Sequence, residues 1–180
     1  MELTLPTGVV RAWQPADVVS LARHANDRRI WLNLRDRFPH PYSEADAEAF
    51  IAMATGMSPV TFFAIAVDGE AVGGIGYTLH EDVERVSAEI GYWLGTPFWG
   101  RGIMTAALLA LTRHAFDRHA DLRRIYAVPF VWSGASVRVL EKAGYRLEGR
   151  TRQSAIKDGK VTDQLLYAIL RDELPPPLKP

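Results

Sequence analysis

The stretch from Glu89 to Leu109 constrains the fold of this chain more than any other. It is typical of an apolar strand, a short turn with two glycines around an arginine, and then a long helix. Such a turn points backbone N–H groups of the helix N-terminus at a position just beyond the strand, where phosphate binds well. The sequence therefore predicts a phosphorylated cofactor at this turn, with a purely structural strand-to-helix turn as the alternative.

The composition predicts one globular domain. The chain has 180 residues, 48% of them hydrophobic, and its acidic and basic residues balance at 21 each. We expect residues 1–174 to form a single domain and residues 175–180 to be a proline-rich tail. Without a basic excess, bulk charge gives no support for nucleic-acid binding. Because cysteine is absent, disulfides, thiolate metal sites and a cysteine nucleophile are excluded.

Neither a membrane segment nor a metal site is expected from the sequence. No stretch reaches the roughly 20 apolar residues that cross a bilayer, and the first residues lack a charged leader followed by an apolar run. The five histidines show no metal-ligand spacing. We therefore expect a soluble, cytoplasmic protein, either a monomer or a homodimer, with no nucleic-acid, membrane or metal partner.

The order of the predicted elements indicates an α/β fold of the α+β type with a largely antiparallel sheet. Hairpin signals stand at 68–69 and 157–160, and proline or capping-box signals start helices at 15–17 and 43–46. Strands are predicted at 8–13, 60–67, 71–79, 84–94, 122–128, 145–156 and 161–170, and helices at 15–25, 27–36, 43–55, from 103, and 133–143. The strand–helix–strand unit over 84–128 adds a parallel or splayed pair at the phosphate turn.

Taken in order, the motifs resemble the GNAT superfamily of acyl-CoA-dependent N-acyltransferases, especially its RimJ/RimL-like branch of ribosomal-protein N-terminal acetyltransferases. The resemblance covers about residues 8–172. It is carried by a Pro-Ala-Asp helix start, a Phe-Pro-His-Pro-Tyr-Ser loop, Glu-Ile-Gly-Tyr-Trp-Leu, Trp-Gly-Arg-Gly-Ile-Met-Thr, Ser-Val-Arg-Val-Leu-Glu-Lys-Ala-Gly-Tyr and the strand at 163–167. It implies a central twisted sheet, mostly antiparallel and flanked by helices, with two strands splayed at the cofactor site.

The resemblance implies acetyl-CoA as the cofactor. In the superfamily the turn is Arg/Gln-x-x-Gly-x-Gly/Ala; Gly102 matches its fourth position, whereas Trp99 and Met104 depart from the first and the last. The pyrophosphate is held by backbone amides, here those from Arg101 to Thr105, so side-chain departures matter little. The cofactor-binding candidates are Trp93, Leu94, Trp99, Gly100, Arg101, Gly102, Ile103, Met104, Thr105, Ser133 and Arg138. For Ser133 the alternative is a helix N-cap, and for Arg138 it is a solvated charge.

Two residues are candidates for catalysis. Glu89 is the only charged residue between Arg85 and Arg101, and a carboxylate can accept the proton that an amine must lose to attack. Some superfamily members carry a glutamate base at this position; the alternative is a carboxylate paired with Arg85 or another cation. Ser136 matches a family serine that could hydrogen-bond to the leaving sulfur, with helix capping or back-bonding as the alternative. Leu140 stands where many members have a proton-donating tyrosine.

The acceptor side is expected to form from residues 27–42 and the last hairpin. Its candidate wall residues, each of which could instead serve packing, are Trp31, Phe38, His40 and Tyr42. The hypothesis is an N-acetyltransferase that passes an acetyl group from acetyl-CoA to a primary amine by direct attack in a ternary complex. The amine belongs to a protein N-terminus or a small molecule. An aminoglycoside or polyamine acetyltransferase and a non-catalytic acyl-CoA-binding module stay open as alternatives.

Overall fold

The computed structural model describes residues 1–175 and builds them around one eight-stranded sheet. The strands are β1 (Glu2–Thr4), β2 (Val9–Ala12), β3 (Phe62–Val67), β4 (Glu70–Leu79), β5 (Ser87–Leu94), β6 (Arg124–Ala127), β7 (Arg146–Lys157) and β8 (Lys160–Leu170). The helices are α1 (Val18–Ala25), α2 (Arg28–Trp31), α3 (Glu44–Gly56), α4 (Ile103–Arg118) and α5 (Gly134–Lys142). The order across the sheet is β1-β2-β3-β4-β5-β6-β8-β7. Beyond Pro175, the predicted tail lies outside the described residues, and the division into domain and tail stays a prediction.

The pair β5 and β6 is parallel, while the other neighbouring strands of this sheet are antiparallel. The two strands pair only from Ser87 to Glu89, opposite Arg124–Tyr126. Beyond Glu89, β5 continues to Leu94 beside β4, whereas β6 stays with β8, so a gap opens between them. The prediction of a mostly antiparallel sheet with a splayed strand pair is confirmed.

Alternation along β5 sends its side chains to two different cores. Ile90 and Leu94 are buried against α4 in the larger core, and Tyr92 packs beside them. Trp93 points to the opposite face, where it packs on a second core that includes residues of α1 and α3. By the same period of two, Glu89 lies on the face of Trp93. Tyr92 and Glu89 therefore belong to opposite faces of one strand.

The helix after the turn packs on the sheet through an apolar stripe along one of its faces. Met104, Leu108, Leu111 and Ala115 are all buried on the sheet. Burying a leucine side chain contributes about 1.5–3 kcal/mol, so this face holds α4 firmly and fixes where its first turn lies. The start of α4 is thus a rigid part of the fold.

Some predicted boundaries were wrong. The helix predicted over 27–36 is only α2, because Asn33 Nδ2 donates to the carbonyl of Arg29 at 2.8 Å and takes an acceptor that a longer helix would use. β5 begins later than predicted because a short 3₁₀ turn at Asp82–Glu84 precedes it. β1 was not predicted, since three residues carry too little pattern to recognise.

Candidate active site

A cleft of about 420 Å³ opens where β5 and β6 separate. Its walls come from the end of β5, the turn that follows, the first residues of α4, one side of α5, and α2 with the residues just after it. All residues predicted for the cofactor line this cleft, as does Ser136: Trp93, Leu94, Trp99, Gly100, Arg101, Gly102, Ile103, Met104, Thr105, Ser133 and Arg138. The sequence therefore identified residues that the fold gathers around one cavity.

The turn before α4 depends on two glycines. Gly100 and Gly102 both have φ of 76°, a left-handed conformation that costs a residue with a Cβ roughly 1–2 kcal/mol. Gly102 is also the N-cap of α4, and it offers no side chain to the first amides of the helix. The helical ladder starts with the amide of Ala106, which donates to the carbonyl of Gly102 at 3.1 Å. The amides of residues 103–105 precede that ladder and point to the cleft end, where an anion is favoured.

Cationic side chains line this cleft. They are those of Arg101, Arg138 and Lys142, together with Arg29 of α2. With the N-terminus of α4, they make the cleft electropositive. The arrangement suits a pyrophosphate or another polyanion.

Arg29 is held in place by a network that joins α2 to the turn. Its guanidinium donates to Asp27 Oδ2 at 2.6 Å and to Thr96 Oγ1 at 2.9 Å, and Thr96 Oγ1 donates in turn to Asp27 at 3.0 Å. Hydrogen bonds from Arg29 lower the pKa of Asp27 to about 2, because they stabilise its charged form. These hydrogen bonds therefore connect the first turn of α2 to the turn between β5 and α4.

The free edge of β5 faces the gap. The amide of Gly95 donates to Val72 in β4, so by alternation the backbone groups of Tyr92 and Leu94 face away from β4, and those of Trp93 face it. The carbonyl of Leu94 already accepts from Trp99 Nε1 at 2.6 Å, which ties the turn back onto the strand. The remaining groups along this edge can pair with an extended ligand.

Ser136 stands across the cleft from β5, in the first turns of α5. Its Oγ lies 2.8 Å from the phenolic oxygen of Tyr92, so its hydroxyl is engaged by a side chain rather than by the backbone of its own helix. Burial raises the pKa of Tyr92 well above its usual range. Leu140 is fully buried in the larger core and contributes no polar group. Tyr92 is a cleft residue that sequence reasoning missed.

Glu89 does not line the 420 Å³ cleft, because it lies on the other face of β5. Its carboxylate forms an ion pair with Arg35, and the Glu89 side chain stays 26% exposed. Tyr126 is its register neighbour on β6. Next along this face, Gly91 is exposed, and a Cβ placed there would meet nothing within 4 Å. The surface of β5 is therefore open at Gly91, between the carboxylate and Trp93.

The four predicted acceptor-wall residues lie near this second face but not in the cofactor cleft. Trp31 stacks on exposed His40 with ring centroids 5.7 Å apart. Phe38 packs on Tyr42 at 4.8 Å, and Tyr42 is only 5% exposed, so packing accounts for that pair. A smaller cavity of about 240 Å³ lies where this segment meets the last hairpin, and it is lined by Arg35, Asp36, Phe130, Ala155, Ile156, Lys157 and Gln164.

Residues 1–175 contain neither a membrane-spanning helix nor a cluster of metal ligands. None of the helices described there has the length and apolar character needed to cross a bilayer. Within the same range, no group of three or more His, Cys, Asp or Glu side chains is arranged to hold a metal ion.

Known proteins share this architecture. The sequence profile of the acetyltransferase (GNAT) domain matches residues 9–146. YdaF of Bacillus subtilis (strain 168) is 35% identical over 106 residues, which cover 59% of this chain and 57% of that protein. The ribosomal-protein-serine acetyltransferase of Escherichia coli (strain K12) is 34% identical over 110 residues, covering 61% of this chain and 60% of that protein. The chain thus spans less than two thirds of the length of these relatives.

A solved structure extends the likeness to the whole chain. Mycobacterium smegmatis RimJ in complex with CoA-disulfide matches with a TM-score of 0.83 at 28% sequence identity, covering 98% of this chain and 88% of that one. This chain belongs to the GNAT acetyltransferase domain family. The predicted resemblance is confirmed.

Proposed function

We propose that the protein is an acetyl-CoA-dependent N-acetyltransferase whose acceptor is the N-terminal amine of a peptide. One observation carries the proposal. A single strand, β5, presents a cleft on one face and a carboxylate beside the open surface at Gly91 on the other, and the gap to β6 lies between the two. Donor and acceptor can meet at such a gap without a covalent enzyme intermediate.

The donor side supplies binding and polarisation. The amides of residues 103–105 and the cations around them hold the pyrophosphate, and the free edge of β5 holds the pantetheine arm in strand fashion. A backbone N–H on that edge donates to the thioester carbonyl. The known complex of M. smegmatis RimJ with CoA-disulfide supports this use of the cleft.

On the side where the amine binds, a carboxylate removes the proton of the amine. Amines are mostly protonated near neutral pH, so the attacking amine must first lose a proton. Glu89 accepts that proton, directly or through a water molecule. Its position at the last paired residue of β5 places the carboxylate beside the opening of the gap.

The charge beside Glu89 favours a peptide over a polycationic small molecule. Arg35 reaches Glu89 and lines the adjoining cavity, in which Lys157 is already paired with Asp36. A polyamine or aminoglycoside would bring several ammonium groups beside Arg35. A peptide N-terminus brings only one amine, followed by neutral backbone groups. The name of the E. coli relative, a ribosomal-protein-serine acetyltransferase, points the same way.

The test combines turnover with cofactor binding. Release of free thiol from acetyl-CoA is measured over a panel of peptides, polyamines and aminoglycosides, and CoA binding is measured by calorimetry. The Glu89→Gln variant is expected to lose turnover by about 10²-fold or more while it still binds CoA. Glu48→Gln, on the exposed side of α3, is the matched control. The proposal would be overturned if none of the peptides supported thiol release, or if the wild-type protein did not bind CoA.

A further inference from the structure

We propose that Tyr92 is a positioning residue, which directs the hydroxyl of Ser136 at the sulfur of the departing thiol. The inference rests on the proposed function in one respect, namely that CoA is the leaving group. It assigns a reaction role to the hydrogen bond between two side chains that spans the cofactor cleft from β5 to α5.

Tyr92 and Ser136 meet across the cleft. Tyr92 comes from the strand and Ser136 from the helix on the other wall, 44 residues later, and both line the cleft. Their side-chain oxygens lie 2.8 Å apart. A serine in the first turns of a helix usually bonds to its own backbone, as a cap or to the carbonyl four residues back. Here the phenol takes that place and draws the hydroxyl toward the cleft.

The direction of the hydrogen bond follows from the partners at hand. Burial raises the pKa of Tyr92, so the phenol keeps its hydrogen. Ser136 Oγ at 2.8 Å is a better acceptor for that hydrogen than the carbonyl of the same residue at 3.4 Å. Because the phenol donates, Ser136 accepts, and its own hydroxyl hydrogen is not used in this hydrogen bond. That hydrogen is then directed into the cleft.

The reaction balances without either residue losing a proton. The amine nitrogen forms a bond to the acetyl carbon, the carbon–sulfur bond breaks, and its electron pair stays on sulfur. The ammonium proton passes to Glu89 and from there to solvent before the attack, and the second proton, which the nitrogen loses as the amide forms, follows the same route. A thiol has an ordinary pKa near 8.5, well below that of a buried phenol, so the sulfur leaves as a thiolate. Ser136 donates a hydrogen bond to this thiolate, and the hydrogen bond from Tyr92 strengthens it.

This arrangement accounts for the absence of a tyrosine at position 140. Leu140 is fully buried in the core and cannot reach the sulfur. The hydrogen-bonded pair lies instead at the start of α5, with its phenol supplied by the opposite wall.

The experiment uses the full chain and four proteins: wild type, Tyr92→Phe, Ser136→Ala and the double variant. Phenylalanine keeps the ring and removes only the phenolic oxygen. We expect kcat to fall about tenfold in Tyr92→Phe, and about 10²-fold in Ser136→Ala, with KM for acetyl-CoA little changed. The double variant is expected to match Ser136→Ala, because the phenol acts only through the serine. Tyr77→Phe removes another buried phenol, which contacts His119 away from the cleft, and is the matched control.

A second readout separates this inference from the proposed function. The thiolate of bound CoA is titrated by its ultraviolet absorbance in each protein. We expect the bound thiol to ionise at a higher pH in Tyr92→Phe and in Ser136→Ala than in wild type. Equal titrations in all three, or multiplying kcat losses in the double variant, would overturn the role of Tyr92 while leaving the acetyltransferase intact. Failure of the wild type to bind CoA would instead overturn the proposed function.

Discussion

The guanidinium of Arg35 and the carboxylate of Glu89 form an ion pair on the face of β5 that looks away from the cofactor cleft. Arg35 is half exposed and belongs to an irregular segment after α2, whereas Glu89 is fixed on a strand. The cation is therefore the movable partner. An ammonium group of the acceptor can take its place on the carboxylate.

Replacement of Arg35 should therefore favour acceptor binding. An exposed ion pair contributes about 0.2–1 kcal/mol, so Arg35→Gln is expected to lower the KM for the acceptor peptide by at most about fivefold. Steady-state kinetics with the best peptide of the panel measure the effect, and Arg35→Lys, which keeps the cation, serves as the control. A higher KM in Arg35→Gln would mean that Arg35 binds the acceptor instead of competing with it.

Side chains added at position 91 test whether the acceptor binds over this open surface of β5. Gly91 is exposed on the face of Glu89, and a Cβ there meets nothing within 4 Å, so substitution is not expected to disturb the fold. Along the series Gly91→Ala, Gly91→Val and Gly91→Phe, the KM for the acceptor should rise with side-chain volume. Binding of CoA, measured by calorimetry, should stay constant because its cleft lies on the other face. A series in which acceptor KM does not change would place the acceptor elsewhere.

The network around Asp27 predicts a pH-dependent loss of stability. Its pKa is lowered from 3.8 to about 2 by hydrogen bonds from Arg29, so the folded state favours the charged carboxylate. That stabilisation is complete above about pH 4 and disappears as the pH falls through about 2. Solvent screens the exposed guanidinium, so this stabilisation of the folded state amounts to about 1 kcal/mol at neutral pH.

Asp27→Asn isolates this effect, since asparagine is also a good N-cap and preserves the start of α2. Urea unfolding should show a free energy of unfolding about 1 kcal/mol below that of wild type at pH 7. The difference should shrink between pH 4 and pH 2. A difference that stays constant over this range would trace the loss to capping geometry rather than to charge.

Local signals explain why the cofactor side could be predicted from the sequence. The turn before α4 needs left-handed backbone, and the two glycines at 100 and 102 supply it. The apolar stripe of α4 fixes which face is buried, so the position of its first amides follows. For the same reason the capping box at Ser43 marked the start of α3 correctly.

The acceptor side could not be predicted in the same way, because its contacts join distant parts of the chain. Tyr92 meets a residue 44 positions away, and the side chain of Lys157 meets one 121 positions away. A lysine next to a hairpin turn is ordinarily exposed, and nothing in its neighbourhood indicates burial. The aromatic residues were predicted as acceptor walls from their residue type alone. In the structure, the ring of Trp31 covers this lysine instead.

Lys157 offers a last test, of how the acceptor segment is anchored to the final hairpin. Its side chain is 1% exposed, with Nζ 2.7 Å from Asp36 Oδ1 and 3.7 Å from the ring centroid of Trp31. A buried charge that loses its partner is costly, whereas an apolar replacement of similar length is tolerated. Asp36→Asn should therefore lower the free energy of unfolding by about 1–2 kcal/mol, and Lys157→Met by less than about 1 kcal/mol. In the Lys157→Met background, Asp36→Asn should have almost no effect in urea unfolding. Equal losses in both backgrounds would show that Asp36 acts on the segment through contacts other than this ammonium.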